Sequence, residues 1–278
     1  MEPSPLLRIL WMLAWPIRCY VRRTPLRRGT GRLAGLLIHL LPKAPSGYVA
    51  DLREGGTVEL LYREAIGSSV LLYGSFEGAE IRHLLGYVEA GTVAIDVGAN
   101  VGIFTIPLAK AVADGRVVAF EPHPGNVQRL TSNIARNKLS NVEVIQAAAG
   151  DFEGTIELRV AADPAFHSIA TSETTEGEQG RLSIRQRRID LVWNEFGQPV
   201  VSAIKIDVEG EEIRVLSGCE DLLATCSPAL LIEAASEERL ERLTAWLTRR
   251  GYAPSQPSGF APWNFLFLRT AIPALVRG

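Results

Sequence analysis

"VAIDVGANVGIFT", residues 93–105, is an apolar run that ends on an acid and then turns over glycine. "TVAIDV" (92–97) reads as a buried strand of the parallel kind, because its apolar residues continue without polar alternation. Asp96 stands near its carboxyl end. Gly98 and Gly102 follow, with Asn100 between them, and "IFTIPLAKAVA" (103–113) resumes at helical spacing. Strand, glycine turn and helix form the first unit of a nucleotide-type fold. Gly98 lets the backbone turn sharply, and Gly102 permits close helix packing or the approach of a ligand. The order D-x-G-x-N-x-G is not the dinucleotide fingerprint, and no G-x-x-x-x-G-K-[ST] phosphate loop is present. An acid on the rim repels phosphate and suits a ligand with a cationic end.

Working outward, "RVVAFEP" (116–122) is a second strand that ends on Glu121, "PGNVQRLTSNIARNKL" (124–139) a second helix, and "VEVIQAA" (142–148) a third strand. This alternation predicts a doubly wound, mainly parallel α/β sheet with helices on both faces. Upstream, "GTVELLY" (56–62) and "SSVLLY" (68–73) alternate well enough to predict a small β-hairpin, and 77–89 reads as an amphipathic helix. Residues 150–185 interrupt the pattern, with one strand-like run at 155–160 and a polar stretch, "TSETTEGEQG" (171–180), that reads as a loop. A short helix at 188–197, capped by Asp190, leads back to the alternation. A strand and turn at 201–210, helix 211–225, strand 228–235, helix 237–251 and a last strand at 265–269 follow.

Composition bounds the reading. The chain has 278 residues, 47% of them hydrophobic and 22% charged, enough for a sizeable core in a globular protein. Two domains are expected: residues 1–50 as an N-terminal extension and 51–278 as the main α/β domain. The formal charge of −2 conceals an asymmetry. Residues 1–43 hold eight Lys or Arg and one acid, a net of +7, which leaves −9 for the remainder. Their apolar runs, "LLRILWMLAWPIRCY" and "LAGLLIHLL", fall short of the roughly 20 residues a spanning helix needs. Trp11, Trp15 and Tyr20 beside arginines read as a segment lying on an anionic membrane, with packing on the main α/β domain as the alternative. Three cysteines without a CxxC pair fit a reduced, cytoplasmic setting, peripheral at the membrane if the extension binds it. No nucleic-acid partner is expected, and the oligomeric state is left open.

Glu121 lies 23 residues beyond Gly98, at a strand end where a carboxylate can accept hydrogen bonds from both hydroxyls of a ribose. An acid beside the turn, a ribose-binding acid and no phosphate site point to S-adenosylmethionine as the cofactor. "IDVGANVGIFT", "AFEPHPGN" and "IKIDVEGEEIRVLSG", with "YGSFEGAE" upstream and "PALLIEAA" downstream, resemble the FkbM-type family of S-adenosylmethionine-dependent methyltransferases. The resemblance runs from about residue 50 onward. It implies a class I, Rossmann-like methyltransferase fold and O-methylation of a hydroxyl on a sugar, glycolipid or natural product.

Asn100 and the amides of the glycine turn are then expected to hold the methionine end, with Asp96 reaching it directly or through water. Glu121 takes the ribose. Asp151, after the third strand, is placed for the adenine amino group or simply begins a turn. In "KIDVEGEE", alternation sets Lys205, Asp207 and Glu209 on one face. Asp207 is the expected general base, Lys205 its orienting cation, and Glu209 a second base or a ligand for substrate hydroxyls. Glu211 and Glu212 suit the start of the next helix. His167, in the insertion, is an alternative base or incidental. Asp207, Glu209 and Glu233 could form an oxygen-ligand Mg²⁺ site, but no metal is assigned. The competing readings are a nicotinamide oxidoreductase, opposed by the missing fingerprint, and a non-catalytic peripheral membrane protein with a relic fold.

Overall fold

The computed structural model describes residues 47–62, 64–161, 168–169 and 178–270. The basic extension, His167 and residues 171–177 of the polar stretch lie outside the described residues. Two compact units divide the chain, one running to Arg53 and from Thr57 to Phe76, the other comprising Glu54–Gly56 and everything from Glu77.

In the first unit, β1 (Gly47–Asp51) pairs antiparallel with β2 (Thr57–Leu61), and α1 (Ala65–Tyr73) follows. The expected hairpin exists, but with a different partner, because residues 68–73 are helical rather than extended. Ile66 and Val70 recur at helical spacing and are buried together with Leu71 and Leu72. Burial on that period outweighs the alternation that favours a strand in isolation. A Cβ on Gly67 would lie 1.8 Å from the Leu61 carbonyl oxygen, so the helix rests directly on β2.

The second unit begins with α2 (Gly78–Leu85) and then carries the sheet. Its elements are β3 (Val93–Val97), α3 (Thr105–Ala111), β4 (Arg116–Phe120), α4 (Pro124–Arg136), β5 (Val142–Ile145) and the short β6 (Ala148–Ala149). After them come β7 (Gly154–Ala161), β8 (Ser168–Ile169), β9 (Glu178–Arg187), α5 (Ile189–Glu195), β10 (Val201–Ile206), α6 (Glu212–Ser217) and α7 (Glu220–Cys226). β11 (Ala229–Glu233), α8 (Glu237–Thr248), β12 (Tyr252–Ser255) and β13 (Asn264–Arg269) complete it.

The main sheet runs β12-β13-β11-β10-β3-β4-β5, parallel from β11 to β5, with β13 antiparallel to β11. The chain winds outward from β3 to β5 and returns beside β3 as β10, so the strand order reverses between β3 and β10. In an open α/β sheet this switch point, at the carboxyl ends of the strands, is where ligands bind. One face packs Ile95, Val97, Phe120, Ile204, Ile206 and Ile232 against helical residues such as Trp193, Leu216, Leu222 and Leu247. The opposite face packs Ala119 against Leu130 and Ile134 of α4. Among the described residues no helix is long and apolar enough to cross a membrane.

The interruption is a second sheet, β6-β9-β7-β8. Its longest strand, β9, spans Glu178–Arg187 and so includes the end of the stretch expected to be a loop. Leu182 and Ile184 pack with Leu158 and Ala148, while Arg181, Ser183 and Arg185 alternate with them. Two further expectations are corrected here. The expected helix 211–225 is two helices, broken around Gly218, where a Cβ would lie 1.9 Å from the Gly150 carbonyl oxygen. Asp190 does not cap its own helix. Its carboxylate accepts from the backbone N–H groups of Asp221 and Leu222, in the first turn of α7.

Candidate active site

The expected residues Asp96, Gly98, Lys205 and Asp207 meet at the switch point. Lys205 and Asp96 are register partners on adjacent strands, as are Lys205 and Leu231 one strand further on. Register partners share a face, so one face of the sheet carries Asp96, Lys205, Asp207, Glu233 and Asn264 across four neighbouring strands. Lys205 Nζ lies 3.2 Å from Asp207 Oδ2 and 3.8 Å from Asp96 Oδ1, and it donates to the Gly98 carbonyl oxygen at 3.0 Å. Burial works against the lysine's charge, but Asp207, Asp96 and Glu77 together hold its pKa above the ordinary value.

Gly98 is required as glycine. Its φ is +78°, and a Cβ would sit 2.0 Å from the Asp207 carbonyl oxygen. The Gly98 and Ala99 amides donate to the Phe120 carbonyl, which ties the turn to β4. Asn100 holds φ 48°, left-handed, and its amide donates to Glu121 Oε2 at 2.8 Å. Gly102 serves packing, since a Cβ there would press on Leu130 Cδ1 at 2.8 Å.

Asp96 is fully buried. Its Oδ2 accepts from the Thr105 hydroxyl at 2.6 Å, whereas Oδ1 has no hydrogen bond among the described residues. Burial, opposed by Lys205, raises its pKa. Glu121 accepts from three N–H groups, of Asn100, His123 and the Asn126 side chain. Of the roughly four lone-pair positions on a carboxylate, one is then left for a hydroxyl, so acceptance from two hydroxyls requires one of these bonds to yield. Burial pushes Glu121 up to about 7. Asp151 is exposed after β6, with Gln186 Nε2 at 3.5 Å from its Oδ1. Glu209 lies past the strand end in a left-handed conformation, φ 51°, and burial followed by Asp207 raises it to about 7. The Gly210 amide donates to Glu212 Oε1, at the start of α6 as the sequence suggests.

Glu77 joins this row; it lies in the "YGSFEGAE" stretch that carries the family resemblance, but the sequence alone assigns it no role. It stands at the amino end of α2 with φ 51°, a conformation unusual for glutamate, and accepts from Asn264 Nδ2 at 2.9 Å. Burial and then Asp207 raise it to about 7. Burial and then Asp207 push Glu233, hydrogen-bonded to Asp207, up to about 9.

These shifts fix the sign of a stability profile. Glu77, Glu121 and Glu209 near 7 and Glu233 near 9 all stand above the 4.5 of a free glutamate. Between those values the folded chain holds protons that the unfolded chain has released, so stability falls as pH rises. Each such proton is worth on the order of 1.4 kcal/mol per pH unit at most. His123, lowered by burial from the ordinary 6.5 of a histidine, works the other way, as a single group. The melting temperature of the ligand-free protein should therefore drop between about pH 5.5 and 8.5, and Glu233→Gln should flatten the upper part of that fall. A melting temperature that climbed across the window would contradict these protonation states.

The residues at the switch point fit S-adenosylmethionine on their own chemistry. A buried carboxylate oxygen without a hydrogen bond suits a cationic ligand, and the Glu121 carboxylate at the end of β4 retains an acceptor site for a hydroxyl.

A model of the methyltransferase FkbM domain matches residues 96–254. The 31-O-demethyl-FK506 methyltransferase FkbM of Streptomyces tacrolimicus is 28% identical over 208 residues, 64% of this chain and 75% of that one. The hexuronic acid methyltransferase AglP of Haloferax volcanii is 31% identical over 147 residues, 51% of this chain and 56% of that one. A solved methyltransferase FkbM from Methylobacillus flagellatus aligns over 68% of this chain and 50% of its own, with 21% identity and a TM-score of 0.46. Against two further curated relatives the chain spans only 10% and 60% of their length.

Proposed function

The chain belongs to the FkbM methyltransferase family, a membership that brings S-adenosyl-L-methionine as cofactor, and we propose that it methylates a hydroxyl oxygen of a sugar, glycolipid or other small natural-product acceptor. The observation that carries this reading is the Lys205–Asp207 ion pair at the end of β10, set directly against the glycine turn after β3. The relatives named for a hexuronic acid and for the 31-O position of FK506 support an oxygen acceptor on a small molecule.

Asp96, Asn100 and the amides of the turn would hold the methionine end, Glu121 the ribose and Asp151 the adenine. The cofactor supplies an electrophilic methyl carbon on a cationic sulfur. Asp207 takes the proton of the acceptor hydroxyl as that oxygen becomes nucleophilic. Lys205 keeps the carboxylate in place and compensates Asp96, while Glu209 and Glu77 accept from neighbouring hydroxyls. Such a positioned base contributes about 10²–10⁴-fold, and bringing acceptor and donor together contributes at least as much.

Incubation with methyl-labelled cofactor and an extract of glycolipids and soluble glycans tests the reading. Label should enter an ether oxygen that resists mild base. Label found only on nitrogen, carbon or carboxylate esters would overturn hydroxyl methylation. The cofactor site is tested separately. Glu121→Ala should weaken S-adenosylhomocysteine binding by about 1.5–3 kcal/mol in calorimetry, since a charge-assisted bond is lost and the turn amides lose their acceptor. Glu121→Gln, which keeps the shape and one acceptor oxygen, should lose less. Unchanged affinity in a folded Glu121→Ala protein would remove Glu121 from the site.

A further inference from the structure

We infer that a cavity of about 530 Å³ between the amino-terminal turns of α6 and α8 receives an oxyanion carried by the acceptor, a carboxylate or a phosphate, on the guanidinium groups of Arg239 and Arg242. The inference deepens the methyltransferase reading and rests on it for the identity of the bound molecule as the acceptor.

The cavity starts where the catalytic loop ends. Gly210, directly after Glu209, forms part of its wall. A Cβ on that glycine would lie 2.9 Å from the central carbon of the Arg239 guanidinium, so the cation is held against the backbone of the loop that carries Asp207. A molecule filling the cavity therefore meets the loop at Gly210, three residues from the base.

The charges lining the cavity are unequally committed. Arg214 pairs with Glu211 at 3.3 Å, and Glu212 accepts from the Gly210 amide at 2.7 Å. The guanidinium groups of Arg239 and Arg242 make no hydrogen bond or ion pair among the described residues, although both residues line the cavity; only the Arg239 backbone N–H is used, donating to the Ser236 hydroxyl. The carboxylates nearest Arg239 in charge, Glu209 and Glu212, are held toward their protonated forms by burial and so offset the arginine only in part. Glu238 remains as an exposed acid. Two planar, five-donor cations free to bond, in a cavity where Arg214, Glu211 and Glu212 are engaged and Glu238 is the one exposed acid of the lining, match a carboxylate or a phosphate bidentately. A neutral sugar offers them no such partner.

Titration of the full chain, saturated with S-adenosylhomocysteine, separates the possibilities. The probes are methyl glucuronide, glucose 1-phosphate and neutral methyl glucoside. At least one anionic probe should bind tenfold or more tighter than the neutral one, and the preference should shrink as salt is added. Arg239→Gln and Arg242→Gln should each erase that preference while S-adenosylhomocysteine affinity stays unchanged, which also reports that the variants fold. Preference for the glucuronide alone assigns a carboxylate, for the phosphate alone a phosphate, and for both an undiscriminating oxyanion site. Equal binding of all three probes, or a preference that survives both substitutions, overturns the inference. If the anions bind with arginine-dependent affinity but S-adenosylhomocysteine does not bind at all, the anion site stands and the methyltransferase reading fails.

Discussion

Asp207→Asn should leave S-adenosylhomocysteine affinity intact and lower single-turnover methyl transfer by about 10²–10⁴-fold. The side chain stands at the switch point, 31% exposed and open to an acceptor, with Lys205 Nζ at 3.2 Å. Glu233 on the adjacent strand is raised to about 9, so near neutral pH it carries its proton and hydrogen-bonds to Asp207 rather than competing for the acceptor's proton. Asparagine keeps the shape and the contact with the loop but takes up no proton. Glu209→Gln should cost less, because that residue sits beyond the strand and, in the proposed mechanism, accepts from hydroxyls that do not react. His167→Ala separates the alternative base, and a loss as large as that of Asp207→Asn would move proton removal to the insertion. Single-turnover rates exclude product release from the comparison. An Asp207→Asn protein with wild-type rates would end the proposed mechanism.

Lys205→Met should destabilise the fold by about 3–5 kcal/mol at pH 8, a fall of about 10 °C in melting temperature. The lysine is 5% exposed and faces Asp96, Asp207 and Glu77 at once. Methionine fills similar space, so packing is largely kept. What remains is a fully buried Asp96 that has lost its one close cation among the described residues. Asp96 then takes up a proton or breaks away from Thr105. Protonation is easy at low pH, so the deficit should narrow at pH 5. A deficit equal at both pH values would mean that lost packing, rather than uncompensated charge, explains the effect. Wild-type stability at pH 8 would remove Lys205 as the electrostatic centre of the site.

The strands β3, β4, β10 and β11 are legible in the sequence because they are buried on both faces and read as continuous apolar runs between turn signals. Asp96, Gly98, Lys205 and Asp207 are legible for the same reason, since strand ends beside glycine turns are where an α/β sheet binds ligands. Residues 68–73 misled because "SSVLLY" fits either period, and only its packing on β2 decides for a helix. β9 was concealed by its arginines, although Leu182 and Ile184 alternate as a strand with one wet face should. Glu77 reaches the site from outside the sheet through a left-handed residue, and Asp190 caps a helix 30 residues away from it in sequence. Contacts made across the chain leave no local pattern, and residue type alone does not reveal them.

The fit between Gly98 and the Asp207 carbonyl has a thermodynamic consequence. The two backbones touch where no side-chain atom could be inserted, and Lys205 ties the Gly98 carbonyl to the Asp207 carboxylate. Cofactor turn and catalytic loop are thus one mechanical element, and ordering either orders both. Occupation of the donor side should tighten the acceptor side, and by linkage the acceptor must tighten the donor by the same factor. The enzyme would then favour the ternary complex over either binary one, so that an activated methyl donor is held most firmly when an acceptor is there to take the methyl group.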